Sequence, residues 1–111
     1  MSDIDIQDIF ADNGPIEELE LDEDLERHLV ERQHGVSFSE ILGVFNNSPQ
    51  YYENLSGRRT PVIMVGPTFG GRMLCVPIEP TGKAGVWRPV TAYPANAHHV
   101  ERYNTEEPHD Q

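Results

Sequence analysis

The residues best suited to chemistry lie close together near the end of the 111-residue chain, between positions 86 and 103. This stretch combines cationic, aromatic, imidazole and carboxylate side chains: Trp87, Arg88, Tyr93, His98, His99, Glu101, Arg102 and Tyr103. Arginine binds phosphate, aromatic rings stack on bases, and His or Glu transfers protons. This combination is typical of single-stranded nucleic acid recognition. The alternative is that the rings pack in the core and the arginines only add solubility.

Other chemistries have less support in the sequence. His98 and Glu101 could form an i, i+3 metal-binding pair, but no Cys–Cys or His-x-x-x-His spacing is present. The Gly70-Gly71-Arg72 sequence lacks the Lys-Ser/Thr of a phosphate-binding loop and indicates a hairpin turn. No Gly-x-Ser-x-Gly motif is present, and Cys75 lies in an apolar run, which argues against a nucleophilic hydrolase. We therefore expect no metal and no other cofactor.

The charge distribution divides the chain into an acidic beginning and a basic body. The net charge is −11, which by itself would argue against nucleic acid as a partner. Residues 1–26, however, contain eleven acidic residues and no Lys or Arg. Residues 27–103 contain all eight basic residues and only five acids, a net charge of +3. The asymmetry therefore leaves a nucleic acid partner open.

The same features predict the compartment. A single cysteine cannot form an internal disulfide, which fits a reducing environment. The acidic N-terminus lacks the basic and apolar regions of a signal peptide, and no apolar run approaches membrane-spanning length. We expect a cytoplasmic protein without a membrane partner.

Composition predicts one domain with two flanking segments. Residues 1–20 are expected to be an acidic, flexible leader, residues 21–104 a single domain, and residues 105–111 a loose tail. A second interpretation makes the leader an arm that lies over the basic body or docks on a partner. Such an arm would compete with phosphate for the same cations.

Two helices are predicted before the strands. Apolar residues at helical spacing, with acids in the first turn, predict a helix over residues 22–33. Ser37 and Glu40 form a capping-box motif at the start of a second helix that runs to Phe45. A short edge strand is expected near Tyr51.

Three strands are then predicted over residues 61–66, 72–79 and 86–93. Leu74, Val76 and Ile78 share one face of the second strand, because side chains alternate along a strand. Pro77 and Pro89 each lack a backbone donor and indicate an edge or a bulge. Pro94 suits the first turn of a last helix that runs to about Tyr103.

This order of elements predicts an α+β domain. Sequential strands joined by short turns form an antiparallel meander. We expect a small antiparallel sheet of three to four strands, packed by two N-terminal helices and one C-terminal helix on one side.

Several segments resemble a known family in the same order. The sequence 34–40, HGVSFSE, followed by Val44-Phe45, resembles the "HGV-x-F-x-E-A…VF" signature of the BrnT toxins of the RelE/ParE-like superfamily. Residues 71–76 (GRMLCV) resemble the family's "GR-x-L-x-V" strand, and residues 88–92 (RPVTA) its "R-x-I-S-A" segment. Glu101-Arg102 resembles the start of its "E-R-x-x-Y" helix. The resemblance covers residues 22–103.

The resemblance implies a RelE-like fold and a type II toxin that cleaves RNA without a metal and is neutralised by a cognate antitoxin protein. Such cleavage needs a base for the ribose 2′-OH, a cation for the phosphate and an acid for the leaving oxygen. Arg72 and Arg88 are the predicted phosphate ligands, and Arg102 and Tyr103 are further RNA-binding candidates. His98 or His99 would be the acid or base, Glu101 an alternative base, and Tyr93 or Trp87 would stack a base.

Two departures from the family leave a second hypothesis open. Tyr93 takes the place where the family usually has Arg, and the basic last helix of the family is replaced by residues 94–102 (PANAHHVER). Either catalysis has moved to His98, His99 and Tyr93, or the domain is a non-catalytic protein-binding module. A homo- or hetero-oligomer is compatible with both hypotheses.

Overall fold

The computed structural model describes residues 15–32, 35–54 and 60–106. Within these ranges it contains six strands: β1 (Glu18–Leu19), β2 (Gln50–Glu53), β3 (Val62–Pro67), β4 (Met73–Pro80), β5 (Val86–Pro89) and β6 (Tyr93–Pro94). It also contains three helices: α1 (Glu23–Arg32), α2 (Phe38–Phe45) and α3 (Ala97–Glu106). The predicted leader up to residue 14, His34 of the HGV segment, the connection at 55–59 and the tail from residue 107 lie outside the described residues.

The strands form one sheet in the order β1-β5-β4-β3-β2, and β6 also pairs with β4. Neighbouring strands are antiparallel except β1 and β5, which are parallel. The α+β class is confirmed. The edge strand predicted near Tyr51 is confirmed as β2. The strand number is higher than the predicted three to four, because β1 adds to the other edge and the third predicted strand is divided into β5 and β6.

The helices cover both faces of the sheet, which corrects the prediction of a single covered side. Leu74, Val76 and Ile78 pack on one face with Leu25 and Leu29 of α1 and Ile41 and Val44 of α2. This face is called the α1/α2 face. Cys75 and Val65 pack on the opposite face with Tyr103 of α3, which is called the α3 face. The sheet is therefore the middle of three layers.

Local signals in the sequence explain α1 and α2. The Asp22 carboxylate accepts a hydrogen bond from the Leu25 amide at 2.9 Å, and the acids of the first turn favour the helix dipole. Before α2, the Ser37 hydroxyl accepts from the Glu40 amide, while the Glu40 carboxylate accepts from the Ser37 amide. The predicted capping box is confirmed.

A bulge separates β5 from β6. Pro89 pairs with Ile78 and Tyr93 pairs with Cys75, so three residues oppose two across this gap. Pro77, which has no backbone N–H, lies in the gap and accepts a hydrogen bond from the Val90 amide at 2.9 Å. The bulge therefore forms where one strand lacks a donor.

The last helix begins later than predicted. Pro94 belongs to β6, and α3 starts at Ala97. The Asn96 side chain accepts a hydrogen bond from the His99 amide at 2.9 Å, which is the geometry of a helix N-cap. The helix also ends later, at Glu106, which is two residues beyond the predicted end of the domain at residue 104.

Trp87 is part of the core. Its side chain is fully buried on the α1/α2 face, in one apolar cluster with Leu19, Ile78 and Ala92. A buried indole cannot stack on a base, so the predicted RNA contact of Trp87 is corrected to a packing role.

None of the helices formed by residues 15–32, 35–54 and 60–106 is both long enough and apolar enough to cross a membrane.

The burial of Trp87 leads to a stability prediction. We expect Trp87→Ala to lower the free energy of unfolding by about 3–5 kcal/mol, because it leaves a large cavity in the core. Phe69→Ala is the matched control, since the Phe69 side chain is 73% exposed on a turn, and it should change stability by only about 0.5 kcal/mol. Denaturant titration of both variants measures the difference. Equal, small effects would contradict the core role of Trp87.

Candidate functional site

The structure separates the two arginines predicted to bind phosphate together. Arg72 contacts Glu40 of α2 and therefore lies on the α1/α2 face. Arg88 follows Trp87, whose side chain is on that face, and points to the α3 face because strand side chains alternate. The two guanidinium groups are on opposite sides of the sheet. They cannot hold the same phosphate.

Arg72 links the start of α2 to the β3–β4 turn. Its Nη1 donates to the Gly35 carbonyl at 2.7 Å and to the Glu40 carboxylate at 3.3 Å. The Arg72 and Glu40 side chains are both partly exposed, so the ion pair is screened by water. Arg72 has a structural position, and its predicted phosphate contact would compete with Glu40.

Arg88 forms the best-defined ion pair among the described residues. Its Nε and Nη2 donate to Oε2 of Glu79 at 3.0 and 2.8 Å, across the β4–β5 ladder. The Glu79 side chain is only 8% exposed. A buried carboxylate needs a partner, so Arg88 stabilises the sheet at this position. Its Nη1 lies 3.6 Å from Glu20, just after β1.

A cleft beside Arg88 contains a histidine that the sequence did not single out. The cleft, about 410 Å³ in volume, lies between α1 and β5, and its lining includes Asp22, Asp24, His28 and Arg88. His28 Nε2 lies 2.9 Å from the Thr91 hydroxyl in the bulge. This contact joins α1 to a residue 63 positions later. It could not be foreseen, because it depends on the bulge.

Three of the predicted site residues line one cleft on α3. His98, Glu101, Arg102 and Thr105 surround a shallow depression of about 220 Å³. The i, i+3 and i, i+4 spacing of His98, Glu101 and Arg102 places them on one exposed side of the helix. The Arg102 guanidinium carbon lies 4.1 Å from the centre of the Tyr52 ring, within cation–π distance. Imidazole, carboxylate and guanidinium are therefore presented together.

His99 has a different environment from His98. It is half-buried, and its Nδ1 is buried without a hydrogen-bond partner among the described residues. Burial lowers the pKa of His99, and the neighbouring His98 and Arg102 lower it further. The ring centres of the two histidines are 5.8 Å apart. His99 is therefore suited to the neutral form, which accepts rather than donates a proton.

Tyr93 is directed toward the core of the α3 face. Its hydroxyl hydrogen-bonds with the buried Cys75 thiol. Burial, assisted by Cys75, raises the pKa of Tyr93, and burial raises the pKa of Cys75 to about 11. Tyr93 pairs with Cys75 and Arg88 with Glu79, four residues apart, which corresponds to roughly 13 Å along β4. Tyr93 and Arg88 are not in direct contact at that separation.

Tyr103 anchors α3 to the edge of the sheet. Its ring is 5% exposed, and its hydroxyl donates to the Ser48 carbonyl at 3.0 Å. The predicted RNA contact of Tyr103 is therefore corrected to an anchoring role.

Within the described residues no group of three or more His, Cys, Asp or Glu side chains is placed to hold a metal ion. Sequence reasoning missed Glu79, His28 and Glu20 as neighbours of the predicted residues.

Comparison of the sequence with models of known protein families and with curated proteins found no match.

The Glu79–Arg88 pair leads to a prediction about stability. Arg88→Ala should lower the free energy of unfolding by about 2 kcal/mol, less than a fully buried pair because the Arg88 side chain is 35% exposed. The double variant Glu79→Leu/Arg88→Leu should recover most of this loss, since no buried charge remains. Denaturant titration tests both variants. A double variant less stable than Arg88→Ala would contradict the account.

The environment of His99 leads to a pH prediction. Because its pKa is lowered on folding, the unfolded chain binds the proton more tightly than the folded protein. Above pH 6.5, the ordinary pKa of histidine, His99 is neutral in both states and does not lower the free energy of unfolding. The free energy of unfolding decreases as the pH falls from that value toward the lowered pKa of the folded state. We expect His99→Asn to reduce the fall in Tm on acidification. An identical pH profile of the Tm for His99→Asn and the wild type would exclude the role of His99.

Proposed function

We propose that the chain is a divergent BrnT-like member of the RelE/ParE-like superfamily, a type II toxin that cleaves RNA without a metal. The observation that carries the proposal is the cleft on α3, where His98, Glu101 and Arg102 meet. The HGV…VF resemblance supports it, because the residues of that motif have defined positions: Val36 and Val44 are buried, and Ser37 and Glu40 cap α2.

The cleft supplies each group that the reaction needs. Glu101 takes the proton of the ribose 2′-OH, and the 2′-oxygen attacks the adjacent phosphorus. The bond from phosphorus to the 5′-oxygen breaks, and protonated His98 gives its proton to that oxygen, which leaves a 2′,3′-cyclic phosphate. Arg102 stabilises the negative charge on the phosphate as the transition state forms. No redox step or cofactor is required.

The surroundings of the cleft support RNA as its substrate. Tyr52 lies beneath Arg102 and keeps the guanidinium at the surface of the α3 face. The aromatic residues predicted to stack on a base do not support that role, since Trp87 is buried and Tyr93 is directed toward the core of the α3 face.

The chemistry predicts a specific pattern of activity. Purified full-length protein should cleave single-stranded RNA in the presence of a chelator, and the products should end in a cyclic phosphate. His98→Ala and Glu101→Gln should each lower the cleavage rate by about 100-fold, the usual contribution of a general acid or base. Glu31→Gln, an exposed acid on α1, should retain the wild-type rate.

Growth after induced expression provides the second measurement. Wild type and Glu31→Gln should arrest growth, and Glu101→Gln should not. RNA left intact by folded wild-type protein at every pH from about pH 5 to about pH 9 would refute the nuclease.

A second candidate function belongs to another class. Arg72 and Arg88 are each paired with a carboxylate, and this observation favours a non-catalytic module that binds a partner protein such as an antitoxin. In that case the wild-type protein has no toxicity and forms a stable complex with the product of a neighbouring gene. Growth arrest by the isolated chain would exclude this candidate.

A further inference from the structure

The acidic segment before α1 is joined to the sheet. The Glu17 and Glu18 amides donate to the Gly85 carbonyl at 2.9 and 3.0 Å, and the Glu20 amide donates to the Trp87 carbonyl at 2.8 Å. These bonds form the parallel pair of β1 with β5. Residues 17–20, part of the segment that composition predicted to be flexible, thus occupy an edge of the sheet.

The side chains of this segment alternate between the core and Arg88. Leu19 is buried beside Trp87 on the α1/α2 face, and Ile16 and Leu21 pack against the same cluster. The next side chain, Glu20, has the opposite direction and lies 3.6 Å from Arg88 Nη1. One short strand therefore combines an apolar anchor with a carboxylate on the cation.

The two carboxylates at Arg88 differ in how firmly they are held. Glu79 is 8% exposed and receives Nε and Nη2, the inner side of the guanidinium. Glu20 is 52% exposed and reaches only Nη1, the outer side. Water and a competing anion can reach Glu20 but not Glu79. Glu20 is thus the exchangeable partner.

Other acidic residues in the cleft between α1 and β5 also disfavour the binding of an anion while β1 is paired with β5. Asp22 and Asp24 line the cleft that Arg88 shares with α1. Their carboxylates repel phosphate over the screening length of the solution. The start of α1 therefore adds negative charge to the edge of β5 that carries Arg88, in addition to the Glu20 carboxylate.

We propose that β1 is a detachable acidic cover, in which Glu20 takes the place of an RNA phosphate at the outer side of Arg88. When β1 leaves the edge of β5, Nη1 of Arg88 binds a phosphodiester, while Glu79 keeps the guanidinium in position. This inference rests on the proposed function for the identity of the anion. The cover regulates RNA binding, because Glu20 and the RNA phosphate compete for Arg88.

A matched pair of charge variants tests the cover in the full-length protein. The probe is a fluorescein-labelled 2′-O-methyl oligouridylate, which cannot be cleaved, and its anisotropy gives Kd at about 10 mM salt, where charges act over about 30 Å. Glu20→Gln should bind about threefold to fivefold more tightly than wild type, the range of one partly exposed ion pair. Glu18→Gln has the same charge change on the same strand, and Glu18 forms no ion pair among the described residues.

The Kd values of Glu20→Gln and Glu18→Gln decide whether the cover exists. Tighter binding by Glu20→Gln than by Glu18→Gln, abolished when Arg88→Gln is added, supports the cover. Equal effects of the two variants show only net charge and overturn it, as does no binding by any variant. Circular dichroism confirms that each variant is folded.

The oligonucleotide also separates this inference from the nuclease. Cleavage of ordinary RNA by the wild type, together with unchanged Kd in Glu20→Gln, refutes the cover and leaves the nuclease. The selective gain in binding without any cleavage refutes the nuclease and leaves the cover.

Discussion

The central strand β4 must be buried on both faces, and the rest of the structure follows from this constraint. Its residues from Leu74 to Glu79 are all buried. A sheet with such a strand needs a layer on each side, so α1 and α2 cover one face and α3 the other. The same alternation sends Arg72 and Arg88 to different faces. The positions of the cations are thus a consequence of core packing.

Local patterns in the sequence were sufficient for the helices and the main strands. The capping box at Ser37 and Glu40 defined the start of α2, and the spacing of Leu25 and Leu29 defined the buried side of α1. The alternation of Leu74, Val76 and Ile78 identified one face of β4. These features depend on neighbours within one element, so a single sequence contains them.

Features that depend on distant partners could not be predicted in the same way. The side that α3 covers was predicted wrongly, because both sets of alternating residues in β4 are mostly apolar and do not distinguish its two faces. The bulge at residues 90–92 changed the direction of the side chains after Pro89. The strand β1 has only two residues in an acidic segment, and its pairing with β5 comes from Leu19 packing on Trp87. The Glu79–Arg88 pair required the register of the β4–β5 hairpin.

The single cysteine has a consequence for the way the molecule opens. Cys75 is completely buried between β4 and α3, its thiol is hydrogen-bonded to Tyr93, and burial raises its pKa to about 11. The thiolate that reacts with alkylating reagents is therefore scarce and inaccessible in the folded state. A reagent can label this chain only after α3 and the sheet have separated. The rate of Cys75 modification therefore measures how often α3 separates from the sheet, and no engineered label is needed for this measurement.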